Sequence, residues 1–160
     1  MIIRLAEDRD HAAIREILLA AFPGPDEANL VEALRRDDDA AIELVAEQQE
    51  PVGHILFSRM DAPLRALALA PVAVTPDRQG QGIGAALIEA GHQAARRQGW
   101  DAIFVVGDPA YYARFGYDLE LAAGFDSPYA GPHFMVLPLA ASLPAQRGSL
   151  TYASAFAALG

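Results

Sequence analysis

The sequence lacks two residue types altogether, since its 160 residues include no cysteine and no lysine. Without cysteine the chain can form no disulfide, no thiolate zinc site and no cysteine nucleophile, and this composition fits a cytoplasmic protein. Without lysine it cannot carry the nucleotide-binding P-loop, whose consensus Gly-x-x-x-x-Gly-Lys-Ser/Thr needs that residue. Long apolar runs are missing too: none approaches the roughly 20 residues of a membrane-spanning helix, and no signal peptide is visible after Met1.

Positive charge is scarce, because the chain has 12 arginines and 21 acidic residues, which give a net charge of −9. Nucleic-acid binding usually requires a basic face, so we expect no nucleic-acid partner. An acidic surface could steer a cationic amine towards the protein, although solubility alone explains it equally well. The four histidines show no His-x-x-x-His spacing, so no metal site is predicted.

The hydrophobic pattern predicts a single α/β domain, as expected for a chain of this length. Its first half should contain a strand, two helices and three further strands: Ile2–Leu5; a helix from Glu7 or Asp8 to about Phe22, and another over Asp26–Arg36; then Ala41–Glu47, Val52–Met60 and Leu64–Val74. Because short connections join the last three strands, we expect an antiparallel meander.

The second half should continue with a crossover from the meander to a parallel strand. The predicted elements are a helix over Ile83–Gln98, a strand over Asp101–Val106, a short helix from Asp108-Pro109 to Phe115, and strands over Tyr117–Phe125 and His133–Leu139. The pattern is weaker in the tail, where Leu150–Phe156 could add an edge strand.

The most informative stretch is Arg78-Gln79-Gly80-Gln81-Gly82-Ile83-Gly84, which joins an apolar strand to a helix. Successive backbone N–H groups of such a turn, with the positive end of the helix dipole, can hold a phosphate. Glycine allows the phosphate to approach the backbone and lets the chain adopt positive φ. A structural helix entry would not need three alternating glycines.

A dinucleotide-binding fold is a rival interpretation, since Gly80–Ala85 satisfies Gly-x-Gly-x-x-Ala and Asp108 could bind a ribose. In that fold, however, the strand runs almost directly into the first glycine, whereas here Thr75–Gln79 intervene. The motif also lies in the middle of the chain, with little β-α-β pattern after it.

The run Val72–Gly84 resembles the acetyl-coenzyme A motif of the GNAT superfamily of N-acetyltransferases, Arg/Gln-x-x-Gly-x-Gly/Ala. Gln79, Gly82 and Gly84 fill that pattern. A second segment, Tyr112–Tyr117, is similar to the family's Tyr-x-x-x-Gly-Phe, with Tyr117 in place of phenylalanine. The resemblance covers residues 1 to about 139, which we take as the core, and leaves residues 140–160 as a C-terminal extension.

This resemblance implies a mixed central sheet of about six to seven strands, with a splayed parallel pair and about four flanking helices. It also implies acetyl-coenzyme A as co-substrate and no metal. Its pyrophosphate would be held by backbone groups of the loop and helix start: Gln79, Gly80, Gln81, Gly82, Ile83, Gly84 and Ala85. Its pantetheine arm and acetyl carbonyl would lie against the strand end, Val72, Ala73 and Val74.

The activity implied is transfer of an acetyl group to a primary amine of a small-molecule or peptide acceptor. Tyr112 is the candidate general acid, because a phenol with a pKa of about 10 stays protonated at neutral pH and can donate to a thiolate. A packing role beside Tyr111 and Phe115 is the alternative for Tyr112. A homodimer is compatible with the family.

The general base stays open at the level of sequence. The candidates are side chains on the meander, on the second helix and after the Pro128–Pro132 loop, or a water chain: Glu43, Glu47, Asp26, Glu27, His54 and His133. A non-catalytic acyl-coenzyme A sensor is the alternative function, although the presence of Tyr112 favours an enzyme.

Overall fold

The fold is built on one six-stranded mixed sheet, seen in a computed structural model that describes residues 1–159. The strands lie in the order β1-β2-β3-β4-β5-β7. The bounds of these strands are β1 Ile2–Leu5, β2 Ala40–Gln48, β3 Glu50–Arg59, β4 Ala66–Val74, β5 Ala102–Val106 and β7 Phe134–Pro138. Short strands β6, Phe125–Asp126, and β8, Gly148–Ser149, pair separately in parallel.

Five α-helices connect and cover these strands in the part of the chain that the structure describes. They are α1 His11–Ala21, α2 Asp26–Arg36, α3 Ile83–Arg97, α4 Pro109–Tyr112 and α5 Leu119–Ala122. Successive side chains of β3 point to opposite faces of the sheet, and each face is covered by different helices. Ile55 and Phe57 pack with Leu87 and Ile88 of α3, while Leu56 packs with the cluster formed by α1 and α2.

The meander and the parallel crossover are both confirmed. β2, β3 and β4 pair antiparallel in sequence. β4 and β5, joined through α3, pair parallel, but only from Ala66 opposite Ala102 to Ala68 opposite Phe104. Beyond that point β4 continues to Val74 without β5 beside it, so the parallel pair is splayed as predicted.

Two predicted strands are wrong. In place of a strand over Tyr117–Phe125, Asp118 caps the short helix α5: its carboxylate accepts a hydrogen bond from the Leu121 N–H at 2.8 Å. Side-chain capping outweighs the apolar run here, since it satisfies a helix-terminal donor that a strand would leave open.

The tail also differs, because Leu150–Phe156 adds no edge strand to the main sheet. Residues Ser154–Leu159 instead form 3₁₀ turns. Phe156, only 6% exposed, packs into the core beside α1 and α2. The apolar spacing that was compatible with a strand therefore reflects separate anchoring side chains, of which Leu150 and Phe156 are buried.

A buried histidine links helix α3 to the segment that follows α4. His92 is 1% exposed, and its Nε2 lies 2.9 Å from the Tyr117 hydroxyl. Burial, with the positive charge of Arg96, lowers the pKa of His92 to about 4 from an ordinary 6.5. The folded protein therefore holds this imidazole neutral at pH values where the unfolded chain would protonate it.

Replacing His92 by glutamine should flatten the acid side of the stability profile. In the wild type, the unfolded chain binds a proton at His92 below 6.5 and the folded chain only below about 4, so stability falls as pH drops through this window. His92→Gln keeps a partner for Tyr117 but does not titrate. Proton uptake on unfolding near pH 5 should fall by about one, measured by urea denaturation at several pH values.

The matched control is His133→Gln, the same substitution at an exposed position, against which the effect of removing the buried imidazole is compared. If His92→Gln and wild type had the same pH dependence, His92 would not be the buried neutral group described above.

Candidate functional site

The glycine-rich loop carries β4 into α3 through two left-handed residues. Pro76–Arg78 form a 3₁₀ turn, and Gly80 and Gly82 have φ of 81° and 82°. Gly82 is the N-cap of α3 and offers no capping side chain. The first N–H groups of this 15-residue helix are therefore free for an anion, and the helix dipole favours one there.

The loop is fixed to the end of β4 by a side chain of the motif. Gln79 Nε2 donates to the Val74 carbonyl at 3.0 Å. This hydrogen bond occupies the strand's terminal acceptor and holds the loop close to the helix start. It gives Gln79 a positioning role through its side chain, in addition to the backbone role expected from the sequence.

A cleft of about 380 Å³ lies over this loop. Seven of the residues predicted to bind the coenzyme line it, namely Val74, Gln79, Gly80, Gly82, Ile83, Gly84 and Ala85. Three others do not: Gln81 is exposed on the loop, and Val72 and Ala73 lie further back along β4. The Ala73 side chain packs on the α1 and α2 face, and Ala73 is paired with His54 of β3.

Three lining residues were missed at the sequence level: Arg78, Tyr111 and Arg114. The Arg114 guanidinium stacks over the Tyr111 ring, 4.6 Å from its centroid. Arg78 makes only a loose contact with Asp77, at 3.6 Å. Both guanidiniums can therefore face phosphate in the cleft. Isolated exposed arginines have no periodicity in sequence, so only the fold could reveal that they converge.

The open edge of β4 presents backbone donors towards the splay. The Thr75 N–H donates to the Val52 carbonyl of β3 at 2.8 Å. Because N–H direction alternates along a strand, the N–H groups of Val72 and Val74 point away from β3. They face the side where pairing with β5 has already ended at Ala68. An extended ligand could therefore add to this edge as a strand does.

Tyr112 lies at the carboxyl end of β5, where it packs on Gly107. A β-carbon at Gly107 would overlap the Tyr112 ring, so this glycine is needed for the close approach. The Tyr112 side chain is 9% exposed, and its hydroxyl forms no hydrogen bond within residues 1–159. Burial, with a smaller contribution from Tyr111, raises the pKa of Tyr112 to about 12, which keeps the phenol protonated.

The second tyrosine motif residue, Tyr117, has a structural role. It is 4% exposed, and its hydroxyl is paired with His92. Its ring lies edge-on to Tyr112 with centroids 5.6 Å apart. Tyr117 thus supports the position of Tyr112 rather than lining the cleft.

Two base candidates, Glu43 and His54, are joined in one buried network with Arg35. Arg35 donates three hydrogen bonds to Glu43, the shortest at 2.6 Å, and His54 Nε2 lies 2.7 Å from Glu43 Oε2. Burial tends to raise the pKa of Glu43, but the hydrogen bonds from His54 and Arg35 outweigh it and lower the value to about 2. A carboxylate this acidic is a weak proton acceptor.

His54 is the partner of Ala73 in the β3–β4 register and is fully buried. Burial lowers its pKa, against the opposing effect of Glu43, so the ring is neutral and donates Nε2–H to Glu43. Its Nδ1 has no hydrogen-bond partner in the described chain. That lone pair is the free acceptor of this network.

The remaining base candidates lie elsewhere. Glu47 is bound to Arg4 at 3.2 Å, beside the Arg4–Asp10 pair at the first strand. Asp26 and Glu27 begin α2. His133 is exposed, and its Nδ1 lies 3.2 Å from the Gly107 carbonyl, near Tyr112. The structure thus separates the candidates and brings only Glu43 and His54 together.

Two features of the described residues bear on other classes of site. Within residues 1–159, no group of three or more His, Asp or Glu side chains is arranged to hold a metal ion. No helix over the same residues is long and apolar enough to cross a membrane.

Comparison with protein families gives one match that covers most of the chain. The model of the acetyltransferase (GNAT) family matches residues 11–117. The uncharacterized N-acetyltransferase YjhQ of Escherichia coli K12 is 40% identical over 138 residues, which are 81% of this chain and 74% of that protein. The uncharacterized N-acetyltransferase YhbS of the same strain is 36% identical over 131 residues, 79% of this chain and 77% of that one.

Solved structures show the same fold. The crystal structure of E. coli YhbS in complex with CoA superposes with a TM-score of 0.90 at 29% identity, covering 99% of this chain and 93% of that one. A GNAT family acetyltransferase from Brucella melitensis in complex with acetyl-CoA superposes with a TM-score of 0.82 at 32% identity, covering 97% of both chains.

Two glycines of the loop should respond differently to alanine. Gly82 has φ of 82°, where a β-carbon costs roughly 1–2 kcal/mol. Gly84 lies inside α3, and a β-carbon there would meet only ordinary contacts, at 3.8 Å from Tyr111 and Val74. We therefore expect Gly82→Ala to lower the free energy of unfolding by about that amount and Gly84→Ala to leave it unchanged or raise it.

Urea denaturation of the two variants without ligand measures this difference. Equal effects would mean that Gly82 does not hold the left-handed conformation that starts α3.

Proposed function

The chain belongs to the acetyltransferase (GNAT) family and is an acyltransferase, and from this premise we propose that it moves an acetyl group from acetyl-CoA directly to a primary amine. The observation that carries the proposal is the placement of the glycine loop beside the open edge of β4. Binding groups for a phosphate and for an extended amide-containing arm thus lie on one continuous path. The relatives of known structure that contain CoA or acetyl-CoA support this choice of co-substrate.

We assign the coenzyme's phosphates to the cleft over the loop. Backbone N–H groups from Gln79 to Ala85 would bind the pyrophosphate at the positive end of α3. Arg78 and Arg114 would add charge-assisted hydrogen bonds, which are stronger than those from neutral donors. The pantetheine amides would pair with the open edge of β4 at Val72 and Val74, between which Ala73 keeps its pairing with β3.

We assign the chemistry to the splay between β4 and β5. The neutral amine attacks the thioester carbonyl, and a backbone N–H of Val72 or Val74 stabilises the oxyanion that forms. As the carbon–sulfur bond breaks, Tyr112 donates its phenolic proton to the thiolate, and the proton that the attacking nitrogen loses in becoming an amide restores the phenol. Its raised pKa keeps the proton on the phenol throughout the physiological range but makes it a weaker acid, so the transfer occurs only as negative charge develops on sulfur.

The proton of the amine must leave before attack, and the two strand carboxylates are poorly suited to take it. Glu43 is held by Arg35 and His54, and Glu47 by Arg4. His54 is no better, because it is fully buried and burial lowers its pKa. A water chain or the exposed His133 is better suited. Asp26 and Glu27 would act only on an acceptor that reaches the start of α2.

Two other functions, an oxidoreductase and a non-catalytic sensor, have less support. A dinucleotide-binding oxidoreductase is ruled out by the family match, and the Asp108 carboxylate instead caps α4 by accepting the Ala110 N–H at 3.0 Å. A non-catalytic acyl-CoA sensor would not need a protonated, unpaired phenol beside the splay. We further propose that residues 1–160 form one domain that acts in the cytoplasm on a small-molecule or peptide amine, as a monomer or a homodimer.

Acetyl-CoA should stabilise the folded protein. A ligand at about 100 times its dissociation constant adds roughly 2.7 kcal/mol to the free energy of unfolding, which for a chain of this size raises the melting temperature by about 5–10 °C. We expect this shift in a thermal melt with acetyl-CoA and none with NAD. A shift with NAD alone would contradict the proposal.

Tyr112→Phe should lower kcat by about 10²-fold, at the lower end of the range for general acids because a thiolate is a tolerable leaving group. Coenzyme affinity should hardly change, since the ring and its packing on Gly107 remain. The matched control is Tyr111→Phe, which removes the neighbouring hydroxyl and should leave kcat nearly unchanged.

The measurement is steady-state thiol release with an acceptor for which chemistry is rate-limiting. Equal kcat for wild type and Tyr112→Phe would leave Tyr112 as a packing residue. A selective loss of coenzyme affinity would make it a binding residue instead.

A further inference from the structure

A second cavity lies between the diverging strands, on the opposite side of the splay from the helix-start cleft. It begins where the β4–β5 ladder ends, next to Leu69 of β4, and continues along β5 to Val106. The tail closes it through Tyr152 and Phe156. At 3.3 Å per residue, Leu69 lies about 16 Å along β4 from Val74 at the glycine loop, so one extended arm can reach from the loop to this cavity.

The walls of this cavity are apolar and aromatic. None of its lining residues carries a charge, and the hydroxyls of Tyr129 and Tyr152 are its only side-chain polar groups. The rings of Tyr129, Tyr152 and Phe156 form an edge-to-face series with centroids 4.7 and 5.1 Å apart. Burial raises the pKa of the Tyr152 phenol, so this phenol stays neutral at physiological pH.

The size of the cavity, about 180 Å³, admits one compact group. A second ammonium entering it would meet no carboxylate, and an unpaired buried charge is strongly unfavourable. A polyhydroxylated amine would likewise leave its hydroxyls without enough partners. An alkyl or aryl group, in contrast, gains from burial, and aromatic faces also attract a single ammonium at the rim.

We propose that this cavity binds the apolar part of the acceptor, and that the acceptor is a small monoamine with a compact branched-alkyl or aryl group. This inference rests on the proposed acetyl transfer. The C-terminal segment Tyr152–Leu159 forms the selective wall of the acceptor site. The apolar group enters the cavity, and the amine remains at its mouth beside the thioester.

Calorimetric titration of amines into the protein saturated with CoA tests the proposal without depending on turnover. The panel is isoamylamine, phenethylamine, methylamine and spermidine. We expect isoamylamine or phenethylamine to bind at least about tenfold more tightly than methylamine and spermidine, as for an apolar group filling a hydrophobic pocket. Equal or tighter binding of spermidine, or no binding by any of the four, would overturn the acceptor class.

The same titration separates this inference from the proposed function. If acetyl-CoA itself does not bind, both fail. If it binds and the amine ranking is reversed, only the acceptor class fails. A leucyl dipeptide amide that binds more tightly than the free amines would identify a peptide acceptor and would also overturn the proposal.

A negative charge placed in the cavity wall should shift the relative affinities of the amines towards spermidine. Val106 lines the cavity but is 49% exposed, so a polar residue is tolerated there. Val106→Asp should strengthen spermidine binding and weaken isoamylamine binding, changing their affinity ratio by at least about tenfold. Val106→Asn, which has the same shape without the charge, should weaken isoamylamine only. If both variants kept the wild-type ratio, the amines would bind elsewhere.

Removing part of the tail wall tests the role assigned to it. Phe156→Ala should favour the bulkier tryptamine over isoamylamine relative to wild type, while Leu121→Ala, at an exposed position on α5, should not. An unchanged tryptamine to isoamylamine ratio in a folded Phe156→Ala protein would remove the tail from the acceptor site.

Discussion

The divergence of β4 from β5 after a three-residue ladder is the constraint on which the rest of the site depends. Pairing ends at Ala68 and Phe104, yet β4 continues to Val74 while still paired with β3. One edge of a central strand is therefore left with backbone donors and no neighbour, which a sheet interior does not normally allow. The glycine loop, Tyr112 and the apolar cavity are all arranged around this opening.

Elements on both faces of the sheet pack around the opening between β4 and β5. α3 packs on one face and places its free N–H groups at the carboxyl end of β4. The Gly107 bend allows Tyr112 to approach the end of β5. On the other face, Phe156 ties the tail to the core that α1 and α2 share, which brings an aromatic wall to the mouth of the splay.

Local signals explain what the sequence could predict. The glycine loop, the apolar strands and the amphipathic helices are each determined within a few residues, so the meander, α3 and most coenzyme-binding positions follow from the sequence. The convergence of Arg78 with Arg114 depends on two segments that are distant in the chain. The pairing of Glu43 with His54 depends on strand register, and α5 on a single cap at Asp118. None of these long-range or one-residue effects produces a periodic pattern of apolar residues, so the sequence does not reveal them.

The most direct test of the open-edge account is hydrogen exchange at the backbone amides, with and without saturating acetyl-CoA. The account predicts slower exchange on binding at Val72, Val74 and the amides from Gln79 to Ala85, with no change at the edge strand β1. NAD at the same concentration should protect none of them. Unaltered exchange at the loop and at β4, despite bound acetyl-CoA, would show that the coenzyme does not use the opening and would contradict the account.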